Sequence, residues 1–187
     1  MTDALRDWVH HFSINRPNHV CLQNFERGDT RTWAELEQRV GRMVTVLRDY
    51  FGVGRGSTVV LICDGDIRIF ELQFACLRLG AITSVLNFRL TVRELASQIN
   101  GIESKIVFTD GAWHNVALQA AEDAGVSQVV TWDAFDTHVD SAGYTAPAAD
   151  LSYPTTQPVH YLFTSGTTGM PKAAIYSISG FIWQSLN

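Results

Sequence analysis

Long apolar runs are missing from this chain. The longest strongly apolar stretch is Val59-Val60-Leu61-Ile62-Cys63, far short of the roughly 20 residues that a membrane helix needs. Asp3, Arg6 and Asp7 stand where a secretory leader would carry its apolar segment, so no leader and a cytoplasmic location are expected. Cysteine is scarce. Cys21, Cys63 and Cys76 are odd in number and show no CxxC spacing, which predicts three reduced, mostly buried thiols and neither a disulfide framework nor a zinc site. Positive charge is also in short supply: 14 Lys+Arg against 19 Asp+Glu give a net charge of −5. That balance argues against nucleic-acid binding driven by bulk charge. What is present is a globular composition, 46% hydrophobic and 18% charged, unlike a disordered or coiled-coil chain. At 187 residues the chain suits one domain that buries roughly 70% of its unfolded surface.

Leu5, Trp8, Val9 and Phe12 share one helical face, and Pro17 ends that helix. Residues 20–25 read as a strand, followed by a turn at Glu26-Arg27-Gly28-Asp29. Thr32-Trp33-Ala34-Glu35 has the form of a capping box, in which hydroxyl and carboxylate each close an orphan backbone N–H. The helix after it places Leu36, Val40, Met43, Val44, Leu47 and Phe51 on one side. Gly52, Gly54 and Gly56 then break it. From here a rhythm sets in. Apolar strands are expected at residues 59–63, 82–86, 106–108 and 129–132, with centres 23 residues apart.

Helical patterns fill the gaps. One covers residues 67–79, a second opens at another capping box, Thr91-Val92-Arg93-Glu94, and a third carries Trp113, Val116, Ala117, Ala120, Ala121 and Ala124 up to Gly125. Strand–helix–strand units of this length predict an α/β fold, a doubly wound and mostly parallel sheet. Residues 136–158 are rich in Ala, Asp, Ser, Thr and Pro and read as a long surface loop or linker. Two more strands are expected at 159–163 and 173–176, then a helix from Ser179 carrying Phe181, Ile182 and Leu186.

Between these last strands lies Thr164-Ser165-Gly166-Thr167-Thr168-Gly169-Met170-Pro171-Lys172. Gly166 and Gly169 permit close backbone approach, successive N–H groups in such a turn form an anion-binding nest, and the hydroxyls of Thr164, Ser165, Thr167 and Thr168 can donate to phosphate oxygens. Lys172 adds a mobile positive charge. The set suits a polyphosphate. It is not a Walker A loop, since only two residues separate the glycines and Pro171 precedes the lysine. By composition alone an ordinary polar turn is an equal alternative. The flanking strands make it a strand–loop–strand hairpin.

The segment Y-L-F-T-S-G-T-T-G-M-P-K, from Tyr161 to Lys172, resembles the AMP-binding signature of the adenylate-forming superfamily of acyl-CoA synthetases, luciferases and adenylation domains. Upstream segments are similar to that family as well. Thr32-Trp33-Ala34-Glu35-Leu36 resembles its T-Y-x-E-L helix opening, Phe74-Ala75-Cys76-Leu77-Arg78-Leu79-Gly80-Ala81 its A-x-L-R-L-G-A segment, and Leu86-Asn87-Phe88-Arg89-Leu90-Thr91 its L-N-x-R-L-T segment, with Lys105 to Asp110 matching a further strand. The likeness runs from about residue 5 to residue 187. It implies the first subdomain of an adenylate-forming N-terminal domain, ending in a phosphate-binding hairpin.

The resemblance implies ATP-dependent activation of a carboxylic acid, with Mg²⁺ accompanying ATP and coenzyme A as thiol co-substrate. The residues carried over are Thr164, Ser165, Gly166, Thr167, Thr168, Gly169 and Lys172 for the ATP phosphates, with Lys172 also stabilising charge in the reaction. No metal ligand is carried over, and neither nucleic acid nor a transmembrane segment is expected. L-N-F-R-L-T and P-K-A-A look most like fatty-acyl-CoA ligases; aryl-acid ligases, carrier-protein adenylation domains and a non-catalytic nucleotide- or partner-binding protein are the rivals. Ala173 stands where the family often has Gly, and Ile178 where many members have His, so no histidine is expected at that point of the acid site. Family members are several times longer, which implies that this chain is an N-terminal piece without the C-terminal domain and inactive alone.

Other candidates have plainer readings. His10, His11, His19, His114 and His138 are expected to be surface or satisfied polar residues, and His160 an exposed strand residue. Asp64-Gly65-Asp66 is expected to cap a helix, and Trp8, Trp33, Trp113, Trp132 and Trp183 to be core or interface residues.

Overall fold

A computed structural model describes residues 7–144, 154–164 and 171–186. The elements in chain order are α1 (Trp8–Asn15), β1 (Val20–Gln23), β2 (Thr30–Thr32), α2 (Trp33–Asp49), β3 (Thr58–Ile62), α3 (Ile67–Leu79), β4 (Ile82–Val85), α4 (Val92–Gly101), β5 (Ile106–Thr109), α5 (His114–Asp123), β6 (Gln128–Thr131), α6 (Trp132–Ser141), β7 (Pro158–Thr164), β8 (Lys172–Ser177) and α7 (Ile178–Leu186). β1 and β2 form a small antiparallel ribbon. The other six strands form one sheet in the order β6-β5-β3-β4-β7-β8. Every neighbouring pair is parallel except β7–β8. The 23-residue rhythm of the sequence is therefore the repeat of strand plus crossover helix.

β3 is buried at all five positions, which is why its sequence is an unbroken apolar run and not an alternating one. Its side chains divide between two cores. Val59 and Leu61, with Cys63 just after the strand, pack with Leu36, Val40, Met43 and Leu47 of α2, Leu72 and Ala75 of α3 and Phe135 and Val139 of α6. Val60 and Ile62 pack on the other side with Leu95 and Ile99 of α4 and Ala117, Ala120 and Ala121 of α5. Each fully buried branched aliphatic side chain contributes about 1.5–3 kcal/mol. The helix starts follow local chemistry. Thr32–Glu35 and Thr91–Glu94 form complete capping boxes, and Asp66 caps α3 by accepting from the Arg68 N–H at 2.8 Å. At its other end α3 stops on Gly80, whose left-handed backbone (φ 65°) lets the N–H of Ala81 return to the Cys76 carbonyl at 2.9 Å.

Three boundaries differ from the sequence reading. The expected loop over 136–158 is helical through Ser141, and the strand expected to run to Trp132 ends at Thr131. The Thr131 hydroxyl caps α6, and Phe135 and Val139, one turn apart, are fully buried. A helix with two core anchors and a good cap outweighs the polar residues between them. Residues 145–153 of that expected loop lie outside the described residues. The first strand is also shorter than expected, ending at Gln23.

Polar contacts of long sequence separation tie the helices of the first face together. Glu71 of α3 is fully buried and accepts from Arg31 Nε at 2.9 Å and Arg39 Nε at 2.8 Å. Arg39 continues to Asp136 and Asp140 of α6, and Arg68 joins Asp66 to Asp136. Arg78, 4% exposed, holds Asp7 before α1 and Glu37 on α2, while Tyr144 donates to Glu37 at 3.0 Å. Removing one partner of such a buried set strands the others. Glu71→Ala should therefore lower stability by about 3–5 kcal/mol, read as a lower urea midpoint at constant slope. Asp49→Ala breaks an exposed pair with Arg48 and should leave the midpoint in place. Equal effects of the two substitutions would contradict this account.

Candidate phosphate-binding site

The site begins with the way the hairpin joins the sheet. β7 is parallel to β4, with Thr83 opposite His160. The Ser84 hydroxyl donates to the Tyr161 carbonyl at 3.0 Å, and the Thr83 hydroxyl shares a hydrogen bond with His160 Nδ1 at 3.0 Å. Because β7 runs with β3, β4 and β5, its end at Thr164 opens on the carboxyl edge of the sheet. Open α/β sheets bind ligands on that edge. β8 returns antiparallel, and its register sets Lys172 opposite Thr164. Opposite residues of an antiparallel pair project to the same face, so the lysine and the hydroxyl leave the hairpin together. The Thr164 hydroxyl donates to the Lys172 carbonyl at 3.4 Å, and Lys172 is exposed. Ser165, Gly166, Thr167, Thr168 and Gly169 lie outside the described residues.

The rest of the edge is built of short turns held by carboxylates. Asp110 accepts from the Asp64 N–H at 2.9 Å and from the Trp113 N–H at 3.0 Å. That ties the turn after β3 to the turn after β5, whose helices α3 and α5 belong to opposite faces. Asp66 is occupied as the cap of α3 and pairs with Arg68 at 2.7 Å and Arg27 at 3.1 Å, as the capping reading expects. Its partial burial opposes ionisation, yet the hydrogen bonds and charge of Arg68 hold its carboxyl below the usual aspartate range. Among the described residues no group of three or more His, Cys, Asp and Glu is arranged to hold a metal ion.

Sequence reasoning missed one cluster on this edge. Phe88 lies against Trp113 with ring centroids 4.6 Å apart, and the Arg89 guanidinium sits 4.4 Å from the Phe88 centroid. The signal was present in L-N-F-R, but Trp113 belongs to a different β–α unit and only the parallel register brings it there. The cysteines offer no chemistry. Burial pushes the Cys63 and Cys76 thiols up to about 12 and also raises Cys21, so none supplies a thiolate at neutral pH.

Comparisons with known proteins bear on the chain as a whole. A family model described as AMP-binding enzyme matches residues 9–187. The chain belongs to the AMP-binding enzyme family. An acetyl-coenzyme A synthetase of Methylocella silvestris is 28% identical over 181 residues, covering 83% of this chain and 28% of the relative. A 4-coumarate–CoA ligase 5 of rice (Oryza sativa subsp. japonica) is 27% identical and is matched over 95% of this chain and 33% of its own length. Among solved structures, ATP-bound MatB from Rhodopseudomonas palustris superposes with a TM-score of 0.81 at 26% identity, over 100% of this chain and 37% of that one. A Mycobacterium tuberculosis fatty acyl CoA synthetase gives 0.83 at 19% identity, over 95% and 36%, a likeness of fold. The chain thus spans about a third of the length of these relatives of the AMP-binding enzyme family. Among the described residues, no helix is long and apolar enough to cross a membrane.

His160 departs from its sequence reading. It is half-buried in the sheet, not an exposed strand residue, and burial lowers its pKa. The reason is the neighbour: β4 lies on one side, and Thr83 occupies Nδ1. A base whose folded pKa is depressed takes up its proton first in the unfolded chain. The native state should therefore lose stability as the pH falls below about 6.5 and through the lower folded value. The His160 ring protons should titrate below pH 6.5 in NMR spectra, and His160→Gln should remove that part of the stability slope. A midpoint at or above 6.5 would overturn the assignment.

Proposed function

We propose that this chain carries the ATP phosphate-binding hairpin of an acid–CoA ligase of the AMP-forming type, acting on a hydrophobic carboxylic acid of the fatty-acid kind. The carrying observation is the cross-strand pair of Thr164 and Lys172 at the carboxyl edge, at the two ends of a loop with three further hydroxyls and two glycines. In the proposed reaction the acid's carboxylate oxygen attacks the α-phosphorus of ATP. The α–β bridging P–O bond breaks and pyrophosphate leaves with that electron pair. The thiol of coenzyme A then adds to the acyl carbon, loses its proton, and expels AMP as the thioester forms. The hairpin acts on the first step. Negative charge accumulates on the departing pyrophosphate, and fixed donors with one ammonium stabilise it there. Thr164, Ser165, Thr167 and Thr168 are the proposed hydroxyl donors, with Gly166 and Gly169 allowing the backbone close approach. Lys172 is the proposed charge contact to the β- or γ-phosphate.

Fatty-acyl specificity rests on the L-N-F-R-L-T and P-K-A-A segments. The whole reaction belongs to the complete enzyme that carries these residues, since the relatives named above are about three times longer. In that enzyme Lys172→Ala should cost about 2.7–4 kcal/mol of transition-state stabilisation, the range for one preorganised charge contact. The ATP KM should rise as well, because part of the contact exists in the ground state. Thr167→Ala removes a neutral hydroxyl and should cost about 0.5–1.5 kcal/mol. Steady-state kinetics with ATP and acid varied separately distinguish the roles. A Lys172→Ala enzyme with unchanged kcat and ATP KM but a raised acid KM would overturn the phosphate assignment.

A further inference from the structure

β7 and β8 are joined to each other more completely than to the rest of the sheet. They pair at six positions, from Pro158/Ser177 to Thr164/Lys172. β3 pairs with β4 and with β5 at four positions each. β7 meets β4 at one, with Thr83 opposite His160. The hairpin is therefore a unit of its own, zipped along its length and attached to the sheet by a narrow joint. Its pairing sorts the side chains into two rows. His160, Leu162 and Thr164 share one face with Tyr176, Ala174 and Lys172, and Tyr161 and Phe163 share the other with Ile175 and Ala173. A slide of β7 along β4 moves the whole unit, by roughly 3.3 Å for each residue of slip.

Gln157 restrains that slide at the base of the hairpin. Its Nε2 donates to the Gly80 carbonyl at 2.7 Å, and its Oε1 accepts from Arg55 Nε at 3.1 Å. The Gly80 carbonyl also accepts from the Gly56 N–H at 2.9 Å. Gly80 is buried and stands two residues before β4. One amide side chain thus ties the start of β7 to the start of β4 and to the turn before β3. The backbone closes the same point. The Gln157 carbonyl accepts from the Ile178 N–H at 3.3 Å, and the Thr155 carbonyl from the Ser179 N–H at 2.9 Å. The chain therefore leaves the hairpin beside the place where it enters. From Pro158 to Thr164 the strand advances six residues, roughly 20 Å. A displacement at the base travels that length undiminished, because the two strands are locked together.

We propose that Gln157 is a positioning residue for the attack on ATP: through the β7–β8 unit it sets where Thr164 and Lys172 stand at the carboxyl edge, while touching no substrate itself. The assignment rests on the phosphate reading of the hairpin given above and adds the residue that fixes its place. A primary amide suits the task, since it offers donors and an acceptor in separate directions, here one toward a carbonyl and one toward a guanidinium. Leucine has nearly the same shape and supplies neither. Glutamate keeps the acceptor for Arg55 but sets a carboxylate oxygen against the Gly80 carbonyl, so it preserves half of the clamp.

The test uses the complete enzyme that carries these residues, with Gln157→Leu, Gln157→Glu, Lys172→Ala and the Gln157→Leu/Lys172→Ala double variant. ATP and acid are varied separately, and the urea midpoint of each variant is recorded. Gln157→Leu should lower kcat/KM for ATP by roughly tenfold or more, since a displacement on the order of 1 Å can cost about 10²-fold, and it should change the acid KM less. Gln157→Glu should fall between the parent and Gln157→Leu. In the double variant the loss caused by Lys172→Ala should shrink, because a misplaced ammonium has less to contribute. A purely structural role would lower the urea midpoint and leave the kinetics of the folded enzyme alone. That result, or losses that simply multiply in the double variant, overturns the positioning role. Should Gln157→Leu fail to fold, the same cycle is run with Gln157→Glu. Lys172→Ala without any effect on the ATP kinetics overturns the phosphate reading, whereas an effect of Lys172→Ala with none of Gln157→Leu overturns only the positioning role.

Discussion

The joint between β4 and β7 is the constraint on which the rest depends. β4 belongs to the βαβ succession that forms the sheet. β7 follows a segment whose described part, at residues 154–157, contains no regular element. The Thr83–His160 register and the Ser84-to-Tyr161 hydrogen bond fix where β7 stands and which way it points. Gln157 reinforces the joint by donating to the Gly80 carbonyl at 2.7 Å and accepting from Arg55 at 3.1 Å. A parallel β7 puts Thr164 on the carboxyl edge. An antiparallel β7 would put it at the opposite edge, among the turns that start the strands. A slip of one residue would exchange the two rows and turn Lys172 to the other face.

The helices packed on one face of the sheet support that joint. α2, α3 and α6 share one core, and the arginine–carboxylate network crosses it from Arg31 through Glu71 and Arg39 to Asp136. Breaking such a network costs more than the intact network adds, because the partners left behind are buried and unpaired. α3 carries consequences on both sides: its buried face makes the core, and Phe70, Gln73, Phe74 and Leu77 line a cavity beside β7.

Much of this was legible in the sequence because its signals are local. The boxes at Thr32–Glu35 and Thr91–Glu94 and the cap at Asp66 each depend on residues within one turn of each other, the 23-residue spacing rests on short runs of neighbouring apolar residues, and each is found in the structure. The hairpin flanking residues 165–170 was legible from two short apolar runs. α6 was not, because its two core anchors are separated by Asp, Thr and His and its cap sits on a residue that reads as strand. The Glu71 network was also hidden, since its partners lie 32 and 40 positions away. His160 read as exposed because nothing in its own neighbourhood announces Thr83, 77 positions earlier.

Lys172 and Lys105 are the only two lysines in the chain, which permits a direct test of the central claim that the hairpin grips the phosphates of ATP. Lys105, exposed just before β5, lies at the opposite edge of the sheet and serves as an internal reference. The measurement is the rate of acetylation of each lysine by an amine-reactive reagent, followed by peptide mass spectrometry, with and without Mg·ATP. The account predicts that Mg·ATP slows modification of Lys172 and leaves Lys105 unchanged. Equal rates at Lys172 under both conditions, at an ATP concentration that saturates binding, would contradict it.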